Sequence, residues 1–206
     1  MTTSPLVRIV DDDASFLKAI SRLLRASGFA VQAFSSAEEF MAGLVPDVPG
    51  CALVDLQMPG LNGLELQEAL AKTGVRLPIV FISGHGDIPT TVQAMRRGAE
   101  DFLTKTAPKK ELLDAVNRAI ARDAHERAER ARLESQRARF AALTERELEV
   151  LRHVVQGRMN KEISADLDIH ERTVKLHRTA ITTKLGVHSA AELTKLWIEA
   201  GLGSNQ

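Results

Sequence analysis

The sequence predicts an α/β protein in two parts: a doubly wound, five-stranded parallel sheet over residues 1–122, and a small all-α unit of four helices over 141–206, joined by a helical linker over 123–140. Three observations carry this. Five short apolar runs alternate with segments of 3.6-residue periodicity, the pattern of βα units with right-handed crossovers. Several of those runs stop abruptly at carboxylates or at turn residues, as strands do at the ligand-binding edge of an open sheet. After residue 140 the strand-like runs cease, and four short amphipathic segments follow, the third of them basic.

Leu6-Val7-Arg8-Ile9-Val10 is the first strand, and it ends in Asp11-Asp12-Asp13. Asp13 can cap a helix whose Phe16, Leu17, Ile20, Leu23 and Leu24 share one face and which ends at Ser27-Gly28. Phe29 to Phe34 reads as the second strand, and Ser35-x-x-Glu38 as a capping box that opens the next helix. The third apolar run, Cys51 to Val54, suits a strand buried on both faces. It stops at Asp55, and the turn chemistry of Met58-Pro59-Gly60 and Asn62-Gly63 follows, with Asn62 able to cap a helix. Leu77 to Ile82 runs into Ser83-Gly84-His85-Gly86, after which Asp87 and Pro89 mark a helix start. Asp101 to Thr104 runs into Lys105, and a last amphipathic helix begins near Pro108 with Leu112, Leu113, Val116 and Ile120 on one side.

From Ala121 to Arg139 the chain is rich in Ala, Arg and Glu and has no Gly or Pro, so this helix should continue through the linker. Asp123–Arg127 and Glu126–Arg130 are favourable i,i+4 pairs. The seam of Ile120, Ala124, Ala128, Ala131 and Ala138 is too thin for a strong coiled coil, which favours a solvated spacer over a dimerising stalk. Beyond it, Thr144-x-x-Glu147 is a capping box and Leu148, Val150, Leu151, Val154 and Val155 form an apolar stripe. Asn160 can cap a short helix carrying Ile163 and Leu167. Asp168 to Glu171 turns into a basic helix that Gly186 stops, and Ser189-x-x-Glu192 caps a closing helix with Leu193, Leu196 and Trp197. This is the pattern of a helix-turn-helix module whose third helix can enter a major groove.

Composition narrows the setting. Lys and Arg total 27, as do Asp and Glu, so the overall charge gives no sign of a nucleic-acid partner. The distribution does, because residues 170–185 hold Arg172, Lys175, Arg178 and Lys184 against Glu171 alone. A single cysteine, Cys51, allows no internal disulfide, and its place in a strand favours a buried thiol over a reactive one. There is no apolar run of membrane-spanning length and no signal-like segment, so a soluble cytoplasmic protein with no membrane partner is expected.

Asp11, Asp12 and Asp55 lie at strand ends that such a sheet brings together, and carboxylates so grouped repel one another unless a hard cation lies among them. Oxygen ligands of this kind suit Mg²⁺. Any one Asp after a strand is as well explained as a turn former or cap; an acid pair, an acceptor Asp, a hydroxyl at Ser83 and a cation at Lys105 are harder to explain singly. Together, over residues 4–122, they resemble the flavodoxin-like receiver domain of two-component response regulators. The resemblance implies that Asp55 accepts a phosphoryl group from a sensor histidine kinase. It further implies that Asp11, Asp12, Asp55 and the backbone carbonyl of Gln57 hold Mg²⁺, that Lys105 and Ser83 bond phosphoryl oxygens, and that Phe102 is an aromatic switch. An ordinary core aromatic is the plainer reading of Phe102. The family usually has proline after this lysine, in a cis peptide; here Thr106 follows, and a trans bond is expected because a cis bond to a residue other than proline costs about 3 kcal/mol.

Leu143-Thr144-x-Arg146-Glu147, Asn160-Lys161-Glu162-Ile163, Thr173-Val174-Lys175-x-His177-Arg178 and Lys184-Leu185-Gly186-Val187 resemble the LuxR-type effector domain, and with the receiver the chain resembles the NarL/FixJ family of transcriptional regulators. That resemblance implies double-stranded promoter DNA and RNA polymerase as partners, and a homodimer on phosphorylation. Lys175, Leu176 and Thr179 would face base edges, Thr173, His177 and Arg178 would hold phosphates, and Lys161 would also bind DNA, with Val174 and Ile181 in the core. Arg178 anchors or specifies according to whether it meets phosphate or base, and His177 equally suits a helix–helix contact. His170 stands where the family more often has a capping Ser, so a weaker cap is expected. Two other classes remain open: a Mg²⁺-dependent phosphohydrolase, against which Gln57 stands where a second general acid would be needed, and a receiver that gates DNA binding without phosphorylation.

Overall fold

The computed structural model describes residues 4–84 and 88–203. Contacts divide the chain into two units, residues 1–127 and 128–206. In the first, β1 (Leu6–Val10), β2 (Ala30–Phe34), β3 (Gly50–Asp55), β4 (Ile79–Ser83) and β5 (Asp101–Thr104) form one parallel sheet in the order β2-β1-β3-β4-β5. The crossovers are α1 (Ala14–Ala26), α2 (Ala37–Ala42), α3 (Gly63–Lys72) and α4 (Ile88–Arg96), and α5 (Lys109–Phe140) follows β5. The strand order reverses at the start of β1, so the carboxyl ends of β1 and β3 form the crevice where such sheets bind ligands.

Alternation along each strand builds two apolar layers. On β3, Cys51 and Leu53 pack with Ile20 and Leu24 of α1 and with Leu112 and Val116 of α5. Ala52 and Val54 join Phe34, Phe40, Leu66, Leu70 and Phe81 on the other face. Every residue of β3 is buried, as its unbroken apolar run requires. Burial pushes the Cys51 thiol up to about 12, which leaves it an inert packing group.

The caps differ from expectation in two places. Asp13, Asn62, Thr144 and Ser189 cap their helices as read. At α2 the cap is Ser36, which accepts from the Glu39 N–H, and Glu39 in turn accepts from the N–H and hydroxyl of Ser35. The cap is therefore displaced by one residue, with Glu39 closing on Ser35 and not on the capping residue itself, because two adjacent serines and two adjacent glutamates satisfy the same four-residue spacing. At the short helix of the second unit, α7 (Asn160–Asp166), Met159 holds the cap position without a side-chain hydrogen bond, and the Asn160 amide oxygen is spent on Arg178. The expected Asp87 start lies outside the described residues.

α5 runs unbroken for 32 residues, so the predicted continuous helix is present. Its Asp123–Arg127 pair forms at the expected i,i+4 spacing and is largely buried. Asp123 is 2% exposed and accepts the Gly50 N–H at 2.8 Å, while Arg127 Nε lies 2.9 Å from both Asp123 oxygens and its other nitrogens reach the carbonyls of Asp47 and Val48. Gly50 has φ +143°, and a Cβ there would meet the Leu6 carbonyl oxygen at 1.9 Å. These bonds carry the first unit five residues past its expected end at residue 122, to Arg127.

The second unit contains the end of α5, then α6 (Glu145–Val155), α7, α8 (Glu171–Leu185) and α9 (Ala190–Glu199). Its core gathers Val150, Leu151, Ile163, Val174, Ile181, Leu185, Leu193 and Leu196. Phe140 belongs to it, stacked edge-on against Trp197 at 5.6 Å, and Arg137 and Arg139 donate to the terminal carbonyls of Ala200 and Leu185. The last turn of the expected spacer is thus structural here, since its arginines supply donors that the ends of α8 and α9 lack.

Candidate functional site

Asp11 directly follows β1 and Asp55 ends β3, and Val10 pairs with Val54 on these adjacent strands, so the two carboxylates emerge side by side. Asp11 is 1% exposed and Asp55 5%, while Asp12 faces solvent. One carboxylate oxygen from each of the three lies within 4.8 Å of the others. Asp11 Oδ1 is occupied by the Asp13 N–H at 2.9 Å, and Asp55 Oδ1 by the Gln57 N–H at 3.3 Å. The other oxygen of each meets Lys105, whose Nζ lies 2.7 Å from Asp11 Oδ2 and 2.8 Å from Asp55 Oδ2. The contact to Asp55 is a hydrogen bond, whereas Asp11 Oδ2, although within reach of the ammonium, receives no well-directed hydrogen bond among the described residues.

Electrostatics follow from this geometry. Burial raises the Asp11 pKa, and the neighbouring Asp55 charge adds to the rise against the opposing pull of Lys105. Burial pulls Lys105 down, but its close contacts with the Asp11 and Asp55 carboxylates outweigh that, and the net shift is upward. Lys105 therefore stays charged, with its ammonium also 4.8 Å from the centroid of the Phe16 ring. Phe16 was legible only as a helix-face apolar residue, since nothing in its spacing marks a ring lying below a strand-end lysine.

The loops holding the site are tightly built. Gly63 opens α3 with its N–H on the Leu56 carbonyl, and a Cβ there would lie 2.5 Å from the Asp55 carbonyl oxygen, so only glycine lets the helix start so close to this strand end. Gly60 takes φ +75° in the preceding turn, and Glu38 accepts the Leu61 N–H. Ser83 ends β4 fully buried, and its carbonyl accepts the Lys105 N–H at 2.8 Å. Phe102 is half-buried on β5, 6.5 Å from the Phe81 ring. No described peptide is cis, so Lys105–Thr106 is trans as expected.

The donor set fits a hard divalent cation. All three ligands are carboxylate oxygens, one of them a buried oxygen without a hydrogen bond, and Gln57 lies on the loop leaving Asp55. Among the described residues this is the one cluster of three or more acidic or metal-ligating side chains with such spacing.

The second unit holds the basic helix. Val174, Ile181 and Leu185 of α8 are buried, as expected of the first two. Lys175, Leu176 and Thr179 are exposed, and Lys161 is exposed on α7, whereas Thr173, His177 and Arg178 are half-buried. Two of the four stripe cations are engaged. Arg178 donates to Asn160 Oδ1 at 3.2 Å, and Lys184 pairs with Glu147 at 2.7 Å, holding that carboxyl below the usual carboxylate range together with Thr144. His170 begins α8 without a side-chain hydrogen bond, the weaker cap expected.

Comparison with known proteins follows the same division. The response regulator receiver domain matches residues 7–117, and the luxR family of bacterial regulatory proteins matches residues 141–197. Nodulation protein W of Bradyrhizobium diazoefficiens is 40% identical over 204 residues, covering 99% of this chain and 90% of that protein. The transcriptional regulatory protein FixJ of Rhizobium meliloti is 39% identical over 98% of both chains. A structure of the response regulator StyR superimposes with a TM-score of 0.80 at 42% identity, over 95% of this chain and 99% of that one. No helix among the described residues is long and apolar enough to cross a membrane.

Proposed function

The chain belongs to the NarL/FixJ family of transcriptional response regulators, and from that premise we propose that it is a DNA-binding regulator switched by phosphoryl transfer to Asp55. The observation that carries this reading is the Lys105 ammonium held 2.7 and 2.8 Å from Asp11 and Asp55 at adjoining strand ends. A charged lysine there balances two carboxylates at rest and is already beside the oxygen that would take the phosphoryl group.

In the transfer, the phosphorus–nitrogen bond of a phosphohistidine on a sensor histidine kinase breaks as a phosphorus–oxygen bond to the Asp55 carboxylate forms in line. Asp11, Asp12, Asp55 and the Gln57 backbone carbonyl would hold Mg²⁺, which when bound supplies neutralising charge to the transferring group. Lys105 takes one phosphoryl oxygen and the Ser83 hydroxyl another. The chain assists its own phosphorylation and dephosphorylation in this way without being a free-standing enzyme. Phe102 then turns inward toward the space that Ser83 vacates, reshaping the face of α4 and β5. On α4 that face exposes Ile88, Val92 and Met95, which supports pairing of two receivers there. Pairing would present two α8 helices to promoter DNA, with RNA polymerase as the partner of the output. Arg178, half-buried and bonded to α7, suits an anchoring phosphate contact better than base reading.

Incubation with acetyl phosphate and Mg²⁺, followed by phosphate-affinity electrophoresis and peptide mass analysis, tests the reading. The wild-type chain should gain one phosphoryl group and Asp55→Asn none. Label persisting on Asp11 or Asp12 in that variant would overturn the assignment, and a wild-type chain that takes no label yet binds DNA would point to gating without phosphorylation.

A further inference from the structure

The outer face of α8 carries an apolar side chain where hydrogen-bonding readers would be expected. At about 100° per residue, the buried stripe of Val174, Ile181 and Leu185 fixes the opposite side of the helix as the line through Arg172, Leu176, Thr179 and Thr183. Leu176 stands near the middle of that line and is 64% exposed. Thr179, one turn on, donates its hydroxyl to the Lys175 carbonyl at 3.1 Å, so its proton is spent within the helix and its methyl extends the apolar patch. Lys175 and Arg172 flank the patch, both exposed.

We propose that Leu176 reads the 5-methyl group of a thymine in the major groove, so that each half-site bound by this chain contains a thymine chosen for its methyl. The inference rests on the reading of α8 as the helix that enters DNA. Leucine has neither donor nor acceptor and cannot discriminate the polar edges of base pairs. The thymine methyl is the one apolar group that those edges present in the major groove. Against any other base, Leu176 would cover a polar edge without bonding it and displace the water that did, so the preference has a penalty as well as an attraction. Lys175 and Arg172, to either side, suit phosphates or a guanine edge and would set the register in which Leu176 meets its base.

The test uses the full-length chain with beryllofluoride and Mg²⁺. Duplexes are first enriched from a random pool, and each thymine of the enriched site is then replaced singly by deoxyuridine, which removes only the methyl. Affinity is measured at one fixed salt concentration for wild type and for Leu176→Ala. One thymine in each half-site should show a loss of about fourfold on replacement, the value of one buried methyl-sized group. In Leu176→Ala that loss should shrink below about twofold, while the salt dependence of binding, set by phosphate contacts, stays the same. Leu176→Met should retain the methyl sensitivity, and an unchanged melting temperature for Leu176→Ala excludes a folding effect. The inference is overturned if no thymine position responds to loss of its methyl, or if Leu176→Ala responds as strongly as wild type. Failure to enrich any duplex would instead refute DNA binding itself.

Discussion

Lys105 is the side chain on which the resting site depends. Among the described residues it is the only cation in contact with Asp11 and Asp55, both buried, and removing one partner of such a group leaves charge that must be neutralised another way. Lys105→Ala should therefore lower stability by about 2–4 kcal/mol, toward the lower side of the range for a buried pair because a fifth of the lysine side chain is solvent-exposed. Added Mg²⁺ should recover part of the loss, since a cation bound to the folded state alone stabilises by mass action. Urea titrations of wild type and variant with and without Mg²⁺ measure this, and equal recovery in both proteins would contradict it. Asp12→Ala should weaken Mg²⁺ binding, measured by calorimetry on the full chain, because it removes one carboxylate while leaving the buried pair in place.

At the scale of elements, two ends are open to change in opposite directions. His170 leaves the N-terminus of α8 without a side-chain acceptor although its backbone, at φ −65° and ψ 144°, is already that of a cap. His170→Ser should stabilise the second unit by about 0.5–2 kcal/mol, read as a raised denaturant midpoint with an unchanged slope. Asp123→Ala acts the other way in the first unit. It strips the buried Gly50 N–H of its acceptor and leaves Arg127 without its carboxylate, at a cost of about 1–3 kcal/mol for the orphaned groups. Because Gly50 begins the strand that ends in Asp55, hydrogen exchange along β3 should rise in this variant. Exchange confined to the linker would show that Asp123 serves only α5.

For the whole molecule, one α8 of 15 residues can make only a few base and phosphate contacts, and high specific affinity generally needs two such helices on half-sites about one helical turn apart. The linker residues Ala124, Ala128, Ala131 and Ala138 are exposed and small, so the proposed pairing would be left to the receivers. Sedimentation should show monomers that become dimers with beryllofluoride, and DNA affinity at one salt concentration should rise in parallel. A chain that stays monomeric with Asp55 occupied and gains no affinity would break the coupling.

The sheet, its strand ends and the four-helix unit are legible in the chain, because each rests on local periodicity and on residues whose chemistry acts within a few positions. The acidic pair, Asp55, Ser83 and Lys105 were legible for the same reason: parallel strands deliver whatever ends them to one edge. Local spacing misled where two registers satisfied it, as at Ser35 and Ser36, and was incomplete where a further partner was distant. Asp123 and Arg127 form the i,i+4 pair that their spacing indicates, but Asp123 also makes a buried link to Gly50, 73 residues away. Only packing across the fold settles that Lys105 bridges both carboxylates over the Phe16 ring, that Lys184 is spent on Glu147, and that Phe140 joins the effector core while Arg137 and Arg139, themselves exposed, donate to its helix ends. Each of those depends on which faces come together across the fold, and a charge or ring carries no mark in the chain of the partner that packing will bring to it.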